Sequence, residues 1–521
     1  MKRLTKVFFG VLLSASMLMA SGCQKDVENV EEVVNSDFIV SYDGIKVGSV
    51  GSTASVHDPS IIQVGDKYYI FGSHMTAAVS DNLRNFVYLA SNYGANNPIY
   101  GGLYDSNLPV FEYAGSKSSI IPTDDGGVHV WAPDVIYNEK MGKYVMYCCT
   151  TSTWNASNLY YATCDTIDGK YEWQGALIYS GFNSSTLQYT DVLDYVDEEY
   201  ALDTYVTAGD SYNYKDYPNA IDPSVFYDAD GRMWMVYGSW SGGIYLLEID
   251  ESTGKVIHPK ADPDNNVDPY FGKRLIGGGH TSIEGPYILY DEASGYYYLF
   301  VSYGTLTSNG GYQIRVFRSD KPDGDYVDMN GKAPSRSNGN HAYFGLKLSG
   351  NYMLPSLRRA YMATGHNSAF IDENDGKGYI VYHTRFDDGG EMHSPRVHQF
   401  FVNEEGWPCM SPYQTNGETV SETGYDMEKV IGEYYMINQG MDISSDIAEP
   451  VMIELTNAGN VYDKTGKIGT YKVTKNTAYI HITINDVEYS GVLCEMTDEG
   501  TNPVMTFTAV GDNMSIWGVK Y

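Results

Sequence analysis

Positive charge is scarce in this 521-residue chain: 34 Lys and Arg stand against 66 Asp and Glu, a formal net charge of −32. Such a balance repels polyanions wherever charge steers encounter, which argues against nucleic acid as a partner and leaves neutral or cationic ones. Cysteine is also sparse. Six occur, and with Cys23 set apart the remaining Cys148, Cys149, Cys164, Cys409 and Cys494 are an odd number that cannot all pair within one chain. Cys148 and Cys149 adjoin in a strand-like run and so point to opposite faces, which favours core thiols over a zinc cluster with Cys164. The sequence lacks a G-x-x-x-x-G-K-[ST] loop, a dinucleotide fingerprint, an H-E-x-x-H pair and a G-x-S-x-G elbow. No nucleotide or redox cofactor is therefore expected.

Long apolar runs are missing except at the start, where Lys2, Arg3 and Lys6 precede an apolar stretch from Val7 to Ala20. That stretch is too short to span a bilayer and has the layout of a secretory signal. Ala20-Ser21-Gly22-Cys23 resembles the bacterial lipobox, so residues 1–23 read as a lipoprotein signal with Cys23 as the lipidated residue. An ordinary cleaved signal peptide is the alternative. The acidic residues 24–50 that follow read as a solvated tether.

What the chain has in quantity is aromatic surface: 14% Phe, Trp and Tyr, with 48 Tyr, which favours pleated strands and supplies flat faces for stacking on sugars. Five segments share one plan of a polar residue, a short apolar strand, a Gly-containing turn and an aromatic-rich strand. They open at "HDPSIIQVGDKYYIF", "WAPDVIYNEKMGKYVMY", "AIDPSVFYDADGRMWMVY", "EGPYILYDEASGYYYLF" and "GHNSAFIDENDGKGYIVY". Their leading polar residues are Asp58, Asp134, Asp222, Glu284 and His366. Five repeats, each with room for a four-stranded sheet, predict an all-β, five-bladed β-propeller over residues 51–410. In that architecture the innermost strands begin at one end of the central axis, so these polar residues converge on one funnel. A single Asp-Pro is more often a turn signal; five matched segments favour convergence.

Converging carboxylates without a basic clamp suit glycosidic-bond hydrolysis, which needs one carboxyl to protonate the leaving oxygen and another to activate water or attack the sugar. A third acid keeps the donor protonated by like-charge repulsion. Asp58, Asp222 and Glu284 fill these places.

These motifs resemble those of family 43 glycoside hydrolases, the five-bladed arabinanases, arabinofuranosidases and xylosidases. The resemblance runs from about Ser55 to Trp407. It implies that Asp58 is the general base, that Asp222 raises the acid's pKa and orients substrate, and that Glu284 is the general acid, with Asp134 structural. It also implies inversion at the anomeric carbon, with carboxyl groups about 6.5 to 9.5 Å apart. "GHNSAF" resembles the arabinanase motif whose His, here His366, helps hold a hydrated calcium ion; one imidazole leaves water to supply most of the six to eight oxygens that calcium prefers. By the same resemblance Asn219, Ala220, Ile221, Ser239, Trp240 and Ser241 line the cleft, Trp240 and Trp131 offer stacking faces, and Gly127 gives backbone access.

Beyond Trp407 the polar stretch "CMSPYQTNGETVSETG" reads as a linker, and period-two segments such as "AYIHITIND" predict a small C-terminal antiparallel β-barrel, residues 411–521 including the linker. The barrel's role stays open between carbohydrate binding and support, with support favoured. The whole reads as a monomeric, lipid-anchored endo-1,5-α-L-arabinanase acting on arabinan at the cell surface, touching the membrane through the anchor alone. An exo-acting arabinofuranosidase or β-xylosidase of the same fold, or a glycan-binding surface lipoprotein, is the alternative. The insert from Gly181 to Pro218 is expected to rim the groove or block it.

Overall fold

The computed structural model describes residues 32–49, 54–123 and 127–521. The apolar leader and Cys23 lie outside them. Each of the five repeats forms an antiparallel sheet whose strands follow chain order from the axis outward. The innermost strands are Ser60–Val64, Trp131–Asn138, Ser224–Tyr227, Ile283–Asp291 and Tyr361–Ile371. Short turns after each inner strand permit this in-to-out order, because a hairpin returns the chain beside the strand it has just left. The third blade carries two extra short strands, Lys255–Ile257 and Val267–Asp268, on its outer side.

Ring closure needs no strand exchanged between the chain ends. All four strands of the fifth blade come from residues 361–414, and the first and fifth blades meet through packed side chains. Ile61 and Ile70 pack with Phe370, Val381 and Val397. Two polar contacts fix this seam: Ser368 Oγ donates to the Pro59 carbonyl at 2.7 Å, and Gln63 Nε2 donates to Asp372 Oδ1 at 3.0 Å. Apolar area drives the closure, while the hydrogen bonds set its register.

The C-terminal domain is a closed barrel of eight strands from Gly432–Asn438 to Met514–Lys520, the first pairing with the last. Closure removes both sheet edges. The interior is filled by side chains, among them Phe507, Tyr434 and Leu493, so the barrel is a packed core, while Trp517 faces outward against Tyr352 of the propeller. That core runs without a break into the outer strands of the fourth and fifth blades through Trp407, Cys409, Met410 and Tyr413.

Two boundaries differ from the sequence reading. The expected linker begins inside the last propeller strand, Pro408–Gln414, whose residues are all buried; its Ser, Tyr and Gln read as loop residues, but tertiary packing of the strand between propeller and barrel overrides composition. The end of the expected tether is also bound: the amides of Asn35 and Ser36 each donate to Glu454 Oε2 at 2.8 Å, and Gly48 N donates to the Ser356 carbonyl at 2.8 Å. A buried carboxylate on the barrel holds residues that charge alone would leave in solvent. Among the described residues the five cysteines are free thiols, all buried except the half-buried Cys164.

Candidate active site

The five inner strands carry the same backbone device, at the start of the first four and in the middle of the fifth. Asp58, Ala132, Asp222, Gly285 and His366 have φ of 53°, 37°, 57°, 56° and 46°, a left-handed conformation that costs a non-glycine residue about 1 to 2 kcal/mol. Pro59, Pro133, Pro223, Pro286 and Asn367 follow. The alignment of blades differs here from the one the leading polar residues suggested: Ala132 and Gly285 are the equivalents of Asp58, whereas Glu284 comes one residue earlier and Asp134 two later. The reason is a break in strand register, between Trp131 and Asp134, between Glu284 and Tyr287, and on both sides of Gly365. Such bulges turn side chains out of the two-residue alternation and towards the axis.

Asp134 therefore sits in the shaft below the funnel. Its Oδ2 accepts from the Val225 amide at 2.6 Å and its Oδ1 from Ser60 Oγ, tying the first three blades together. Burial raises its pKa to about 6 against those hydrogen bonds. This is a structural placement, in line with the role first assigned to it.

Asp58, Asp222 and Glu284 come from the first, third and fourth blades and gather around His366 of the fifth, on the floor of one cleft of about 650 Å³. Asp58 Oδ1 lies 3.0 Å from His366 Nδ1 and 3.1 Å from His57 Nε2, and Ser73 Oγ donates to Oδ2 at 2.5 Å. Burial pushes the Asp58 carboxyl up, but His366, His57 and Ser73 outweigh it and hold its pKa at about 2. Asp58 is thus ionised at any working pH. Asp222 moves the other way, to about 7, through burial and repulsion from Glu284 and Asp58, with His366 opposing. Its Oδ2 accepts from the Gly285 amide at 3.3 Å.

Glu284 is raised by burial, against His366 and Tyr312. Its Oε2 accepts from Trp240 Nε1 at 2.7 Å and Ser239 Oγ at 3.1 Å. Trp240 itself is left-handed, φ 56°, and is held by bonds from its amide to the Ile283 carbonyl and from the Thr281 amide to its own carbonyl, both 2.9 Å. The strained backbone aims the indole N–H at the carboxyl. His366 is fixed by its amide donating to Ser302 Oγ at 2.7 Å. Burial disfavours its charge, but Asp58, Asp222 and Glu284 together raise its pKa. The arrangement offers one carboxylate held ionised, two carboxyls whose pKa burial raises, and a central imidazole whose pKa the carboxyls raise, the opposed shifts that acid-base cleavage requires.

The cleft walls include Asn219, Ile221, Ser239 and Trp240 as expected from sequence, and Trp131. Ala220 and Ser241 stand behind them. Ala220 is fully buried with its amide bonded to Ser180 Oγ at 2.9 Å, and Ser241 Oγ donates to Asn155 Oδ1 at 3.0 Å. Gly127 is elsewhere, lining a separate surface depression with Tyr104, Ser116 and Lys117. Its φ of 101° and a Cβ position 2.9 Å from the Tyr104 hydroxyl show that a tight turn against Tyr93 and Tyr104 needs glycine there. Sequence reasoning missed His74, Trp154, Asn155, His280 and Thr305–Thr307. Only Trp154 carried a signal, a tryptophan amid polar turn residues; it is 66% exposed at the rim and tilted against Trp131 with ring centroids 5.5 Å apart. Insert residues 181–218 supply no lining residue; they pack through Leu187, Val192, Ala201 and Tyr205 between the second and third blades.

A calcium ion at His366 was implied by resemblance. With Nδ1 committed to Asp58, Nε2 is the nitrogen left for a metal, with the Asp58 carboxylate and the Asp222 and Glu284 carboxyls around it. One imidazole amid anionic oxygens fits a largely hydrated hard cation held mainly by charge.

Residues 199–408 match the family described as glycosyl hydrolases family 43, and residues 412–518 match its C-terminal lipocalin-like domain. The chain is 37% identical to the extracellular endo-α-(1→5)-L-arabinanase of Thermotoga petrophila over 90% of its own length and 94% of that protein's. It is 36% identical to extracellular endo-α-(1→5)-L-arabinanase 2 of Bacillus subtilis, over 89% and 93%. The crystal structure of the Thermotoga petrophila endo-1,5-α-L-arabinanase superposes with a TM-score of 0.76 at 36% identity, covering 90% of this chain and 98% of that one. Two-domain architecture, site and relatives agree: this chain belongs to glycosyl hydrolases family 43.

Proposed function

We propose that the chain is an endo-acting, inverting 1,5-α-L-arabinanase working outside the cytoplasm. The observation that carries this reading is the set of three carboxyl groups from three blades, in two protonation states, around His366 at the floor of one cleft. Asp58 accepts a proton from the attacking water, Glu284 protonates the leaving oxygen, and Asp222 keeps Glu284 protonated and holds substrate. Trp131, Trp240 and Trp154 present aromatic faces to successive sugars. The insert 181–218 leaves the cleft unlined by its residues, which supports a groove open to internal bonds of a chain.

Calcium, if bound, would be held by His366 and water and would stabilise the buried negative charge of the site. Lipidation at Cys23 would tether the enzyme at the cell surface, where polymeric arabinan is met. A radiolabelled fatty acid fed to cells should mark the natural protein and not Cys23→Ala, and an unlabelled natural protein would count against the anchor.

The deciding experiment is proton NMR of the protein, without its leader, mixed with linear α-1,5-arabinan. Short oligomers whose new reducing ends first carry the β anomer are expected. Arabinose as the sole early product would replace this reading with an exo-acting enzyme, and binding without cleavage would replace it with a glycan-binding protein.

A further inference from the structure

Beside Asp58 three more imidazoles meet, none of which has a proton-transfer role in the cleavage chemistry. His57, His383 and His393 each offer a ligand atom within 4.8 Å of the others. His57 stacks on His393 with ring centroids 3.8 Å apart, while His383 stands edge-on to both, at 5.1 Å from His57 and 4.9 Å from His393. They come from three chain positions: the start of the first blade, a strand of the fifth, and the loop that follows it.

Their hydrogen bonding is incomplete. His383 is fully buried and its Nε2 has no hydrogen-bond partner. Neither nitrogen of His57 makes a well-formed hydrogen bond, although Nε2 lies 3.1 Å from Asp58 Oδ1. A buried polar nitrogen left unmatched costs about 1 to 3 kcal/mol, so a cluster of them needs a reason to persist.

We infer that His57, His383 and His393 form a binding site for a divalent transition-metal ion of the zinc class, and that an ion held there inhibits hydrolysis by capturing Asp58. Three imidazoles without a nearby thiol suit zinc, cobalt, nickel or copper, whereas calcium seeks oxygen. The site is thus chemically distinct from the one at His366. Asp58 Oδ1 stands 3.1 Å from His57 Nε2, within reach of an ion which that ring holds, while His383 Nδ1 faces the Asp58 amide at 3.4 Å and leaves its Nε2 for the metal. A carboxylate bound to a dication is a poorer proton acceptor. Because His57 lines the cleft, the ion has a path from solvent.

Arg385 opposes the ion. Its Nη2 lies 2.8 Å from His393 Nε2, so guanidinium and metal compete for that ring. Glu391, from the same loop as His393, pairs with Arg385 and is half-exposed, which offsets part of the guanidinium charge and lets the pair move aside together.

The binding half of this inference stands on geometry, and the inhibition half rests on the arabinanase reading. Tag-free protein, stripped with a chelator, is titrated with Co²⁺ while the visible d–d absorption is followed, then with Zn²⁺ as competitor. One ion per chain is expected, with affinity falling more than about ten-fold in His393→Ala and in His383→Asn, and a retained band in His366→Gln. A missing band, or one that survives His393→Ala unchanged, overturns the site; His393 lies on a loop, so this variant stays informative should His383→Asn not fold. In parallel, saturating Zn²⁺ should slow arabinan cleavage more than about ten-fold in the natural protein, and leave His393→Ala at its own metal-free rate. Bound zinc with undiminished cleavage overturns the inhibition. If arabinan is not cleaved even without metal, the functional reading fails while the cobalt band still reports on the site.

Discussion

The Nδ1 of His366 and the Oδ1 of Asp58 meet at 3.0 Å, joining the first left-handed position of the propeller to the last across the closure of the ring. This pairing sets the charge pattern of the site. It keeps Asp58 ionised, and it places a cation where Asp222 and Glu284 would otherwise repel each other unchecked.

Removing the proton donor should be the most selective lesion. Glu284→Gln keeps the shape and the partners of the carboxyl but cannot donate. Turnover of arabinan should fall by about 10² to 10⁴-fold while binding of an arabino-oligosaccharide, measured by calorimetry, is preserved. Activity near that of the natural protein would refute the role of Glu284. Asp58→Asn should instead abolish turnover even with an activated aryl leaving group.

The alkaline limb of the pH–activity profile should respond in opposite directions to two substitutions. Trp240→Phe removes a hydrogen bond that stabilises ionised Glu284, so its pKa rises and the limb moves to higher pH. Asp222→Asn removes a repelling charge, so Glu284 ionises more readily and the limb moves to lower pH. Identical shifts, or none, would separate these residues from the acid.

Asp222 should cost stability that its function requires. Its folded pKa of about 7 is raised from 3.8, so its contribution is fully present below the unfolded value and is lost as pH rises from about 4 through 7. Asp222→Asn should therefore raise Tm at pH 7 relative to the natural protein and show little gain at pH 4. Calorimetric scans at both pH values check this, and an equal effect at the two would contradict the linkage.

Gly285 is needed for its backbone and for its lack of a side chain. Its φ is 56°, and a Cβ there would come within 3.2 Å of the His366 ring. Gly285→Ala should cost about 1 to 2 kcal/mol from backbone strain alone, lower Tm, and reduce kcat more than it changes KM by displacing the imidazole.

Exhaustive chelation should lower Tm or activity, with calcium restoring the loss more effectively than magnesium, because calcium accepts six to eight ligands in a flexible geometry whereas magnesium demands a near-ideal octahedron. An unchanged scan would remove calcium from the account of His366. The same comparison in His366→Gln tests whether the response depends on that ring.

The sequence by itself determined the repeat and its periodicity. Five strand-turn-strand segments can bury their apolar faces only against one another, so the five-bladed ring and the all-β class follow from local pattern, and a period-two stretch at the end specifies the barrel. It also named Asp58, Asp222, Glu284 and His366, because polar residues at strand starts are conspicuous against apolar runs. The tertiary structure alone decided which positions are equivalent: left-handed turns and bulges put Ala132 and Gly285 in register with Asp58, and sent Asp134 into the shaft. It likewise decided that Gly127 faces another depression, that residues 408–414 are buried strand, and that His57, His383 and His393 form one cluster. Those outcomes depend on register and on approaches between residues distant in sequence, which local propensity does not encode; for the histidine cluster it is closure of the ring that brings His57 to His383 and His393.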